Sequence, residues 1–252
     1  MTFLDLTFPT PAENLACDEA LLDWCEENGG DGLLRFWASD NYFVVVGYGN
    51  QVETEVDVVA CEAAGIPILR RCSGGGTILQ GPGCLNYSLI LRIEEGGPLA
   101  SITAANRFIM ERNQEAIEAE IRRQRPDARI EVRGCTDMTV APRPASLDPF
   151  LKFSGNAQRR KKHFLLFHGT FLLNFDFGLI ARLLRMPSKE PDYREGRSHA
   201  NFLTNLNLPA DAVKRSLREV WGATKSLEVV PRDAIAALAR DKYVTTAWNF
   251  KF

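Results

Sequence analysis

Two stretches of this sequence carry residues whose types and spacing suit the binding of a charged substrate. The first, residues 70–88, places three adjacent glycines at 74–76 between two apolar segments. Glycine has no Cβ, so these residues can adopt positive φ and let a ligand approach the backbone. Successive free N–H groups in such a loop form an anion-binding concavity, to which Arg70 and Arg71 add positive charge and Ser73 adds a hydroxyl. A plain glycine hairpin with two solvated arginines is the alternative for this segment taken alone.

The second stretch begins at Lys152 and ends with the segment His168-Gly169-Thr170. A lysine that enters a strand opposite an anion-binding loop brings a point charge to a carboxylate or a phosphate. His168 follows sixteen residues later, a spacing that allows it to return beside Lys152 on a paired strand. A lone strand histidine is otherwise a half-buried side chain, so His168 gains a functional meaning only from its context.

The composition is that of an ordinary globular chain and excludes several functional classes. The 252 residues are 45% hydrophobic and 25% charged, with a net charge of −2. No overall basic field therefore points to nucleic acid or to a membrane surface. No apolar run reaches the ~20 residues that span a bilayer, and the N-terminal residues lack a signal-peptide pattern, so we expect a cytoplasmic protein. The six cysteines form no C-x-x-C pair and no zinc-ligand pattern with histidine, which predicts free thiols.

The order of predicted elements favours one α+β domain with a mixed, largely antiparallel sheet flanked by helices. The segment Thr10-Pro11-Ala12-Glu13 is typical of a helix-capping box. Helices are predicted over residues 11–28, 53–64, 101–125, 180–184, 211–220 and 233–239. Strands are predicted over 33–37, 42–46, 66–69, 77–79, 85–91, 130–133, 138–140, 164–167, 171–175 and 227–230, with a proline-rich loop at 142–149. No repeat and no long linker divides the chain, so we expect a single domain over residues 1–252.

Four segments of the chain resemble the lipoate–protein ligase A family, within the wider group that includes biotin ligases and octanoyltransferases. They are Asn14-Leu-Ala-Cys-Asp-Glu-Ala-Leu-Leu, similar to the family's first helix; Arg70-Arg-x-Ser-Gly-Gly-Gly with Gly83-x-x-Asn86-x-Ser88, similar to its ligand loop; Gly134-x-x-Asp137 with Lys152-x-Ser-Gly-x-Ala-x-Arg, similar to its catalytic strand pair; and His168-Gly169-Thr170. The resemblance covers nearly the whole chain and implies the catalytic-domain fold of biotin and lipoate protein ligases. The last residues resemble the close of that domain, so no C-terminal accessory domain is expected.

The resemblance implies a lipoate–protein ligase that uses ATP and Mg²⁺. Lipoate would attack the α-phosphate of ATP to give lipoyl-AMP, and a lysine amine of a lipoyl domain would then attack this mixed anhydride. Lys152 is the implied catalytic residue, because its charge would hold the carboxylate and then the adenylate phosphate. The implied substrate- and adenylate-binding residues are Arg70, Arg71, Ser73, Gly74, Gly75, Gly76, Asn86, Ser154, Gly155 and His168, and Asp137 is the implied metal ligand.

The implied partners are apo lipoyl domains of 2-oxoacid dehydrogenases or glycine-cleavage proteins. Some members of the family also receive their accessory domain as a separate chain, which is a further expected partner. The chain departs from the ligase pattern in two places. Gln80 and Gly81 stand where the ligase loop usually has histidine and aspartate, and Phe167 replaces the first of two adjacent histidines. These departures put the nucleotide and metal contacts in question.

Two other functions remain open at this point. Cysteine-dependent octanoyltransferases of the same fold place their nucleophile in a Cys-x-Asp loop, which Cys135-Thr136-Asp137 matches. Such an enzyme moves octanoyl from acyl carrier protein through a thioester, without ATP. The third hypothesis is a non-catalytic acyl- or cofactor-binding protein. The retention of Lys152 argues against this hypothesis. The glycine-loop and lysine motifs are more ligase-like, so the sequence favours the ligase over the transferase.

Overall fold

Two β-sheets form the centre of the fold and are flanked by helices. The computed structural model describes residues 1–141 and 150–252, and the elements below belong to these residues. The strands are β1 (Thr2–Asp5), β2 (Leu33–Trp37), β3 (Phe43–Val46), β4 (Ile68–Arg70), β5 (Ile78–Gln80), β6 (Cys84–Arg92), β7 (Ile130–Arg133), β8 (Asp137–Val140), β9 (Leu151–Arg160), β10 (Phe164–Leu172) and β11 (Lys225–Ser226). The helices are α1 (Pro11–Asn28), α2 (Val52–Glu55), α3 (Val58–Ala63), α4 (Ile102–Gln124), α5 (Phe177–Leu183), α6 (His199–Phe202), α7 (Ala210–Val220), α8 (Arg232–Leu238) and α9 (Thr246–Asn249).

The larger sheet has the strand order β11-β1-β2-β6-β10-β9-β8-β7. Strand β1 pairs in parallel with β11 and β2, and the other pairings in this sheet are antiparallel. The smaller sheet has the order β4-β3-β5, and the glycine segment connects β4 to β5 at its edge. The predicted α+β class, with a mixed and largely antiparallel sheet flanked by helices, is therefore confirmed.

Side chains of the larger sheet alternate between two cores, because successive residues of a strand point to opposite faces. In β10, Leu165 and Phe167 pack on the side of α4 and α7, whereas Leu166 packs on the side of α1. His168 consequently continues the α1 side of the strand, and Gly169 continues the α4 side. This two-residue period decides which helix each functional residue of β10 can reach.

Helix α1 is buried on most of its surface and brings polar residues against the sheet. It begins with the predicted capping box, in which Thr10 accepts from the backbone of Glu13 and Glu13 accepts from the backbone of Thr10. It ends at Gly29, whose φ of 77° suits glycine. Among the described residues, no helix has the length and apolar character needed to cross a bilayer.

Several elements differ from the sequence prediction. The sequence predicts two strands over 164–175, but β10 is one strand because it pairs with β6 along its length. The predicted helix 53–64 is two helices, since Asp57 accepts from the backbone of Ala60 and starts α3 anew. The predicted strand 227–230 is replaced by β11, which pairs with β1, a strand that the sequence analysis did not predict. The predicted loop at 142–149 lies outside the described residues.

Candidate active site

A cavity of about 450 Å³ lies between the two sheets, beside the glycine segment. Leu15, Val45 and Leu79 contribute to its apolar wall. Ten of the residues predicted for the site line it: Arg71, Gly75, Gly76, Asn86, Cys135, Asp137, Lys152, Ser154, Gly155 and His168. The structure thus brings together two sequence stretches that are about eighty residues apart.

Arg71 organises the glycine loop from the inside. Its guanidinium donates to the carbonyl oxygens of Gly74, at 2.5 Å from Nη2, and of Gly76, at 2.7 Å. The side chain of Asn50 donates to the carbonyl oxygen of Gly75. With these carbonyls bound inward, the N–H groups of the three glycines donate to no acceptor in the described part of the chain. The loop therefore has the donors of an anion-binding site.

Glycine is required at the middle of this loop. Gly75 has a φ of 86°, and a Cβ there would lie 2.9 Å from Nη2 of Arg71. Burial lowers the pKa of Arg71 to about 10, so the guanidinium remains charged at neutral pH. A buried positive charge directly behind the glycine N–H groups strengthens their attraction for an anion.

Arg70 does not line the cavity, although the sequence predicts it as a ligand residue. Its side chain is buried and donates to the carbonyl oxygens of Gly47, Tyr48 and Asn50 at 2.8 to 3.0 Å. It also donates to the carbonyl oxygen of Asn249 in α9. Arg70 therefore joins the loop after β3 to the C-terminal helix, and its contacts support the loop rather than a ligand.

A buried polar chain connects α1 to the beginning of the glycine loop. Asp18 forms an ion pair with Arg35 at 2.5 Å and contacts Nδ1 of His168 at 3.1 Å. Nε2 of His168 lies 2.5 Å from the hydroxyl of Ser73. Burial alone would raise the pKa of Asp18, but the Arg35 guanidinium and the His168 hydrogen bond lower it below its usual range.

The ionised Asp18 fixes the roles of the other groups in this chain. An ionised carboxylate only accepts, so Nδ1 of a neutral His168 donates and its Nε2 accepts from Ser73. The order Ser-His-Asp resembles that of a nucleophilic triad. The side chain of Ser73 is buried, with 1% of the residue exposed, and it does not line the cavity. These contacts therefore hold the glycine loop in place rather than present a serine nucleophile.

Lys152 and Asp137 form an ion pair on the cavity wall. Nζ of Lys152 lies 2.8 Å from Oδ1 of Asp137, and the hydroxyl of Tyr193 donates to Oδ2 at 2.8 Å. Burial, followed by the charge of Asp137, raises the pKa of Tyr193, which keeps its proton on the phenol. A Cβ on Gly155 would lie 3.0 Å from Nζ of Lys152, so this glycine leaves room for the ammonium group.

The donor set at Asp137 does not fit a protein-bound metal. Both carboxylate oxygens already have partners, and one of them is the ammonium of Lys152. Within residues 1–141 and 150–252, no group of three His, Cys, Asp or Glu side chains could hold a metal ion. Mg²⁺ prefers several oxygen ligands in an octahedron, which this pair does not supply.

Cys135 is an exposed thiol at the edge of the cavity. It lies in the turn between β7 and β8, two residues before Asp137. The other five cysteines are buried. Burial raises the pKa of Cys72 to about 11 and that of Cys84 to about 12, so these thiols keep their protons at neutral pH. Cys135 is thus the accessible thiol among the six cysteines.

We expect native-state alkylation to label Cys135 alone. Iodoacetamide reacts with an accessible thiolate, and the buried cysteines are neither accessible nor ionised. Peptide mass spectrometry after brief treatment at pH 8 should find one modified cysteine, and Cys135→Ser should take up no label. In denaturant all six cysteines should react, which controls for reagent quality. Labelling of Cys72 or Cys84 at the same rate as Cys135 would contradict this assignment.

The positions that depart from the ligase pattern have packing roles. The side-chain amide of Gln80 donates to the hydroxyl of Thr170, which donates to Oδ1 of Asn86. A Cβ on Gly81 would lie 2.3 Å from the ring of Tyr42. Nδ2 of Asn86 has no partner among the described residues, although Asn86 lines the cavity. This amide nitrogen is itself buried, so it is an unpaired donor behind the cavity wall.

Lys152 also affects a histidine at the far end of the cavity. Burial, followed by the positive charges of Arg194 and Lys152, lowers the pKa of His199 to about 4. His199 lines the cavity at the start of α6. It is therefore neutral in the folded protein at physiological pH.

This low pKa predicts a loss of stability in acid. The unfolded chain binds a proton at His199 below pH ~6.5, and the folded protein does not until pH falls to about 4. Stability is therefore unaffected above pH ~6.5 and decreases as the pH falls toward 4. Over this range we expect the free energy of unfolding of wild type to decrease by about 1–2 kcal/mol more than that of His199→Gln. This value is reduced because His199 is partly exposed. Urea unfolding at pH 7 and at pH 4.5 measures this decrease in stability. His163→Gln, at an exposed histidine, is the control. Equal decreases in wild type and in His199→Gln would contradict the expectation.

Four site residues were not predicted from the sequence. Asp18 and Arg35 interrupt otherwise apolar segments, and a buried charge in such a segment is a signal of pairing. Asn156 lies within the lysine motif and Tyr193 in the segment after α5, and neither is among the residues that the sequence predicts for the site. Only the folded chain reveals the contact of Tyr193 with Asp137.

Comparison with known proteins identifies relatives over nearly the whole chain. The model of the lipoyl protein ligase A/B catalytic domain matches residues 10–220. The octanoyltransferase LipM of Geobacillus kaustophilus (strain HTA426) is 27% identical over 281 residues, covering 99% of this chain and 97% of that protein. The described fold is similar to that of a bipartite lipoate protein ligase from Thermoplasma acidophilum, studied with its E2 lipoyl domain (TM-score 0.80, 22% identity, 99% of this chain and 95% of that one). It is also similar to a lipoate-protein ligase A bound with ATP (TM-score 0.74, 24% identity, 99% and 98%).

Proposed function

Because this chain belongs to the lipoyl protein ligase A/B catalytic-domain family, we propose that it is an acyltransferase that carries an octanoyl group on Cys135. It delivers this group to a lysine of a lipoyl domain. The observation that carries the proposal is the position of Cys135, an exposed cysteine that lines the same cavity as the Lys152–Asp137 pair. The full-length similarity to an octanoyltransferase supports it.

The reaction balances without an oxidant or a nucleotide. The sulfur of Cys135 attacks the thioester carbonyl of octanoyl-loaded acyl carrier protein. A new C–S bond forms, and the bond to the carrier sulfur breaks. The carrier thiol then leaves with the proton from Cys135. The amine of the acceptor lysine then attacks the octanoyl-cysteine. A C–N bond forms, the bond to the sulfur of Cys135 breaks, and an amine proton returns to that sulfur.

Cationic and N–H groups around the cavity suit the charge that develops in both steps. A tetrahedral intermediate carries negative charge on the former carbonyl oxygen, and preorganised donors stabilise it. The ammonium of Lys152 and the free N–H groups of the glycine loop are such donors. The apolar wall that includes Leu15 suits an eight-carbon chain.

An ATP-dependent lipoate ligase is the second candidate, and the glycine loop is the observation that favours it. Its free N–H groups suit a phosphate as well as an oxyanion. In this scheme lipoate is activated as lipoyl-AMP, and Lys152 neutralises the phosphate. The sequence alone favours this reaction over acyl transfer. The exposed Cys135 and the full-length similarity to an octanoyltransferase lead us to rank the transferase above the ligase. In addition, both carboxylate oxygens of Asp137 already have partners, so neither is free to bind Mg²⁺.

The acceptors that we propose are apo lipoyl domains of 2-oxoacid dehydrogenases or glycine-cleavage proteins. The fold neighbour studied with its E2 lipoyl domain supports this class of partner. That neighbour is described as bipartite, so a separate accessory chain remains part of the ligase scheme. Acyl transfer from a thioester has no adenylation step and needs no such chain.

Intact-mass measurement of an apo lipoyl domain distinguishes the two candidates. One reaction contains octanoyl-loaded acyl carrier protein without ATP, and the other contains lipoate, ATP and Mg²⁺. An octanoyl adduct in the first reaction only, with a transient octanoyl adduct on Cys135, supports the transferase. A lipoyl adduct in the second reaction only overturns it in favour of the ligase. If neither reaction gives an adduct, the transferase proposal is overturned. The ligase reaction is then tested again with a separate accessory chain added.

A further inference from the structure

A line of buried and partly buried hydrogen bonds runs from Trp221, the residue after α7, to the turn that carries Cys135. Nε1 of Trp221 donates to Oδ1 of Asn113 at 2.8 Å, and Nδ2 of Asn113 donates to the hydroxyl of Tyr87 at 2.8 Å. The hydroxyl of Tyr87 donates to Oδ1 of Asn156 at 2.6 Å, and Nδ2 of Asn156 donates to the carbonyl oxygen of Thr136 at 2.6 Å. Trp221 and three elements of the fold, α4, β6 and β9, are thereby connected to this turn.

The direction of this chain is determined at both ends. An indole N–H only donates, so the Asn113 atom that faces Trp221 must be its oxygen, and its amide nitrogen must face Tyr87. The Tyr87 hydroxyl accepts that bond and therefore directs its own proton to Asn156. At the other end, a backbone carbonyl only accepts, so the nitrogen of Asn156 must face Thr136. The two ends require the same amide orientations, and each bond has one donor and one acceptor.

Buried packing holds the middle of the chain in one arrangement. Tyr87 and Asn113 are 0% exposed, and the ring of Tyr87 stacks on Phe171 with centroids 5.1 Å apart. Burial raises the pKa of Tyr87, so its hydroxyl keeps the proton that it donates. A Cβ on Gly169 would lie 1.7 Å from Oδ1 of Asn156. Only glycine at this position of β10 leaves room for the Asn156 amide.

Asn156 and Thr136 bind each other twice. The Asn156 side chain donates to the Thr136 carbonyl, and the Thr136 hydroxyl donates to the Asn156 carbonyl at 2.9 Å. Thr136 immediately follows Cys135, whose turn otherwise extends beyond the paired residues Arg133 and Asp137. The only strong attachment of the turn tip to the sheet, among the described residues, is this reciprocal pair.

We propose that Asn156 is a positioning residue that fixes the Cys135 turn, and that Tyr87 and Asn113 fix Asn156. The inference rests on the proposed function in one respect, namely that Cys135 carries the acyl group. An exposed turn would otherwise sample orientations in which the sulfur misses the bound thioester. Displacement of a reacting group by about 1 Å can reduce a rate by about 10²-fold. The buried neutral chain prevents that displacement without placing a charge near the sulfur.

The test compares two tyrosines that each lose one hydroxyl. Tyr87→Phe removes the central link, whereas Tyr243→Phe removes a buried hydroxyl that donates to Glu19 at 2.8 Å. Hydrogen exchange with mass spectrometry follows the amides of residues 134–140, and rapid-quench mass spectrometry follows octanoyl transfer from loaded acyl carrier protein to Cys135. Gly169→Ala is a second, independent variant, because its methyl group occupies the place of the Asn156 amide.

We expect Tyr87→Phe and Gly169→Ala to speed exchange in 134–140 about 5-fold or more. We expect them to slow acylation of Cys135 about 10- to 100-fold, with the KM for the loaded carrier within about 2-fold of wild type. Tyr243→Phe should change neither quantity by more than about 2-fold. Unchanged exchange in Tyr87→Phe, equal changes in both tyrosine variants, or faster exchange with an unchanged acylation rate would overturn the proposal. If wild type forms no thioester at Cys135, the proposed function fails, whereas the exchange measurement still tests the attachment of the turn.

Discussion

Replacing Cys135 with alanine should abolish octanoyl transfer, with a rate reduced at least about 10³-fold. The substitution removes the sulfur on which we propose that the octanoyl group is carried, and removal of a covalent nucleophile is among the most damaging changes to such an enzyme. The side chain is exposed, so the fold should be nearly unaffected. The initial rate of octanoylation of an apo lipoyl domain, without ATP, measures the effect.

Cys25→Ala provides the matched control for this experiment. Cys25 is buried in α1, so its replacement removes the same atom at a cost of about 1 kcal/mol in stability, without touching the cavity. It should keep a rate within about 2-fold of wild type. Transfer by Cys135→Ala at the wild-type rate would refute the covalent scheme. Retention of lipoate- and ATP-dependent modification by this same variant would favour the ligase.

Replacing Lys152 with glutamine should reduce acyl transfer about 10²- to 10³-fold. Loss of one preorganised donor to an oxyanion costs about 3–4 kcal/mol in transition-state stabilisation, and the adjacent Asp137 would remain as a negative charge beside the reacting carbonyl. Lys152→Arg should not restore the rate, because a planar guanidinium presents its charge and its N–H groups in a different geometry from the compact ammonium. The measurement is kcat and KM for octanoyl-loaded acyl carrier protein.

Lys214→Gln is the control for this second prediction. Nζ of Lys214 lies 2.8 Å from Asp5 in an ion pair remote from the cavity, and such a surface pair contributes at most about 1 kcal/mol. This variant should transfer octanoyl within about 2-fold of wild type. If Lys152→Gln binds the carrier more weakly but keeps kcat, Lys152 contributes uniform binding rather than catalysis. A wild-type rate in Lys152→Gln would exclude it from both roles.

The neighbouring residues Arg70 and Arg71 illustrate how far local patterns predict the site. Both precede the glycine segment, and the sequence predicts both as ligand residues. Adjacent residues at the end of a strand point in opposite directions, so only one of them can face the loop. Arg71 binds the loop carbonyls from within, while Arg70 binds the loop after β3 and α9. Which arginine faces which way depends on the pairing of β4 with β3, which the sequence does not specify.

The sequence by itself determined the family, the α+β class, the capped helix α1 and the chemical types in the site, because each follows from a local motif or a period. Tertiary structure alone decided that Asp18 contacts His168, 150 residues away in the sequence, and that Asp137 forms an ion pair with Lys152. It also decided that Tyr87 is connected to the Cys135 turn by hydrogen bonds through Asn156. These contacts depend on strand order and register, which result from the packing of the whole chain.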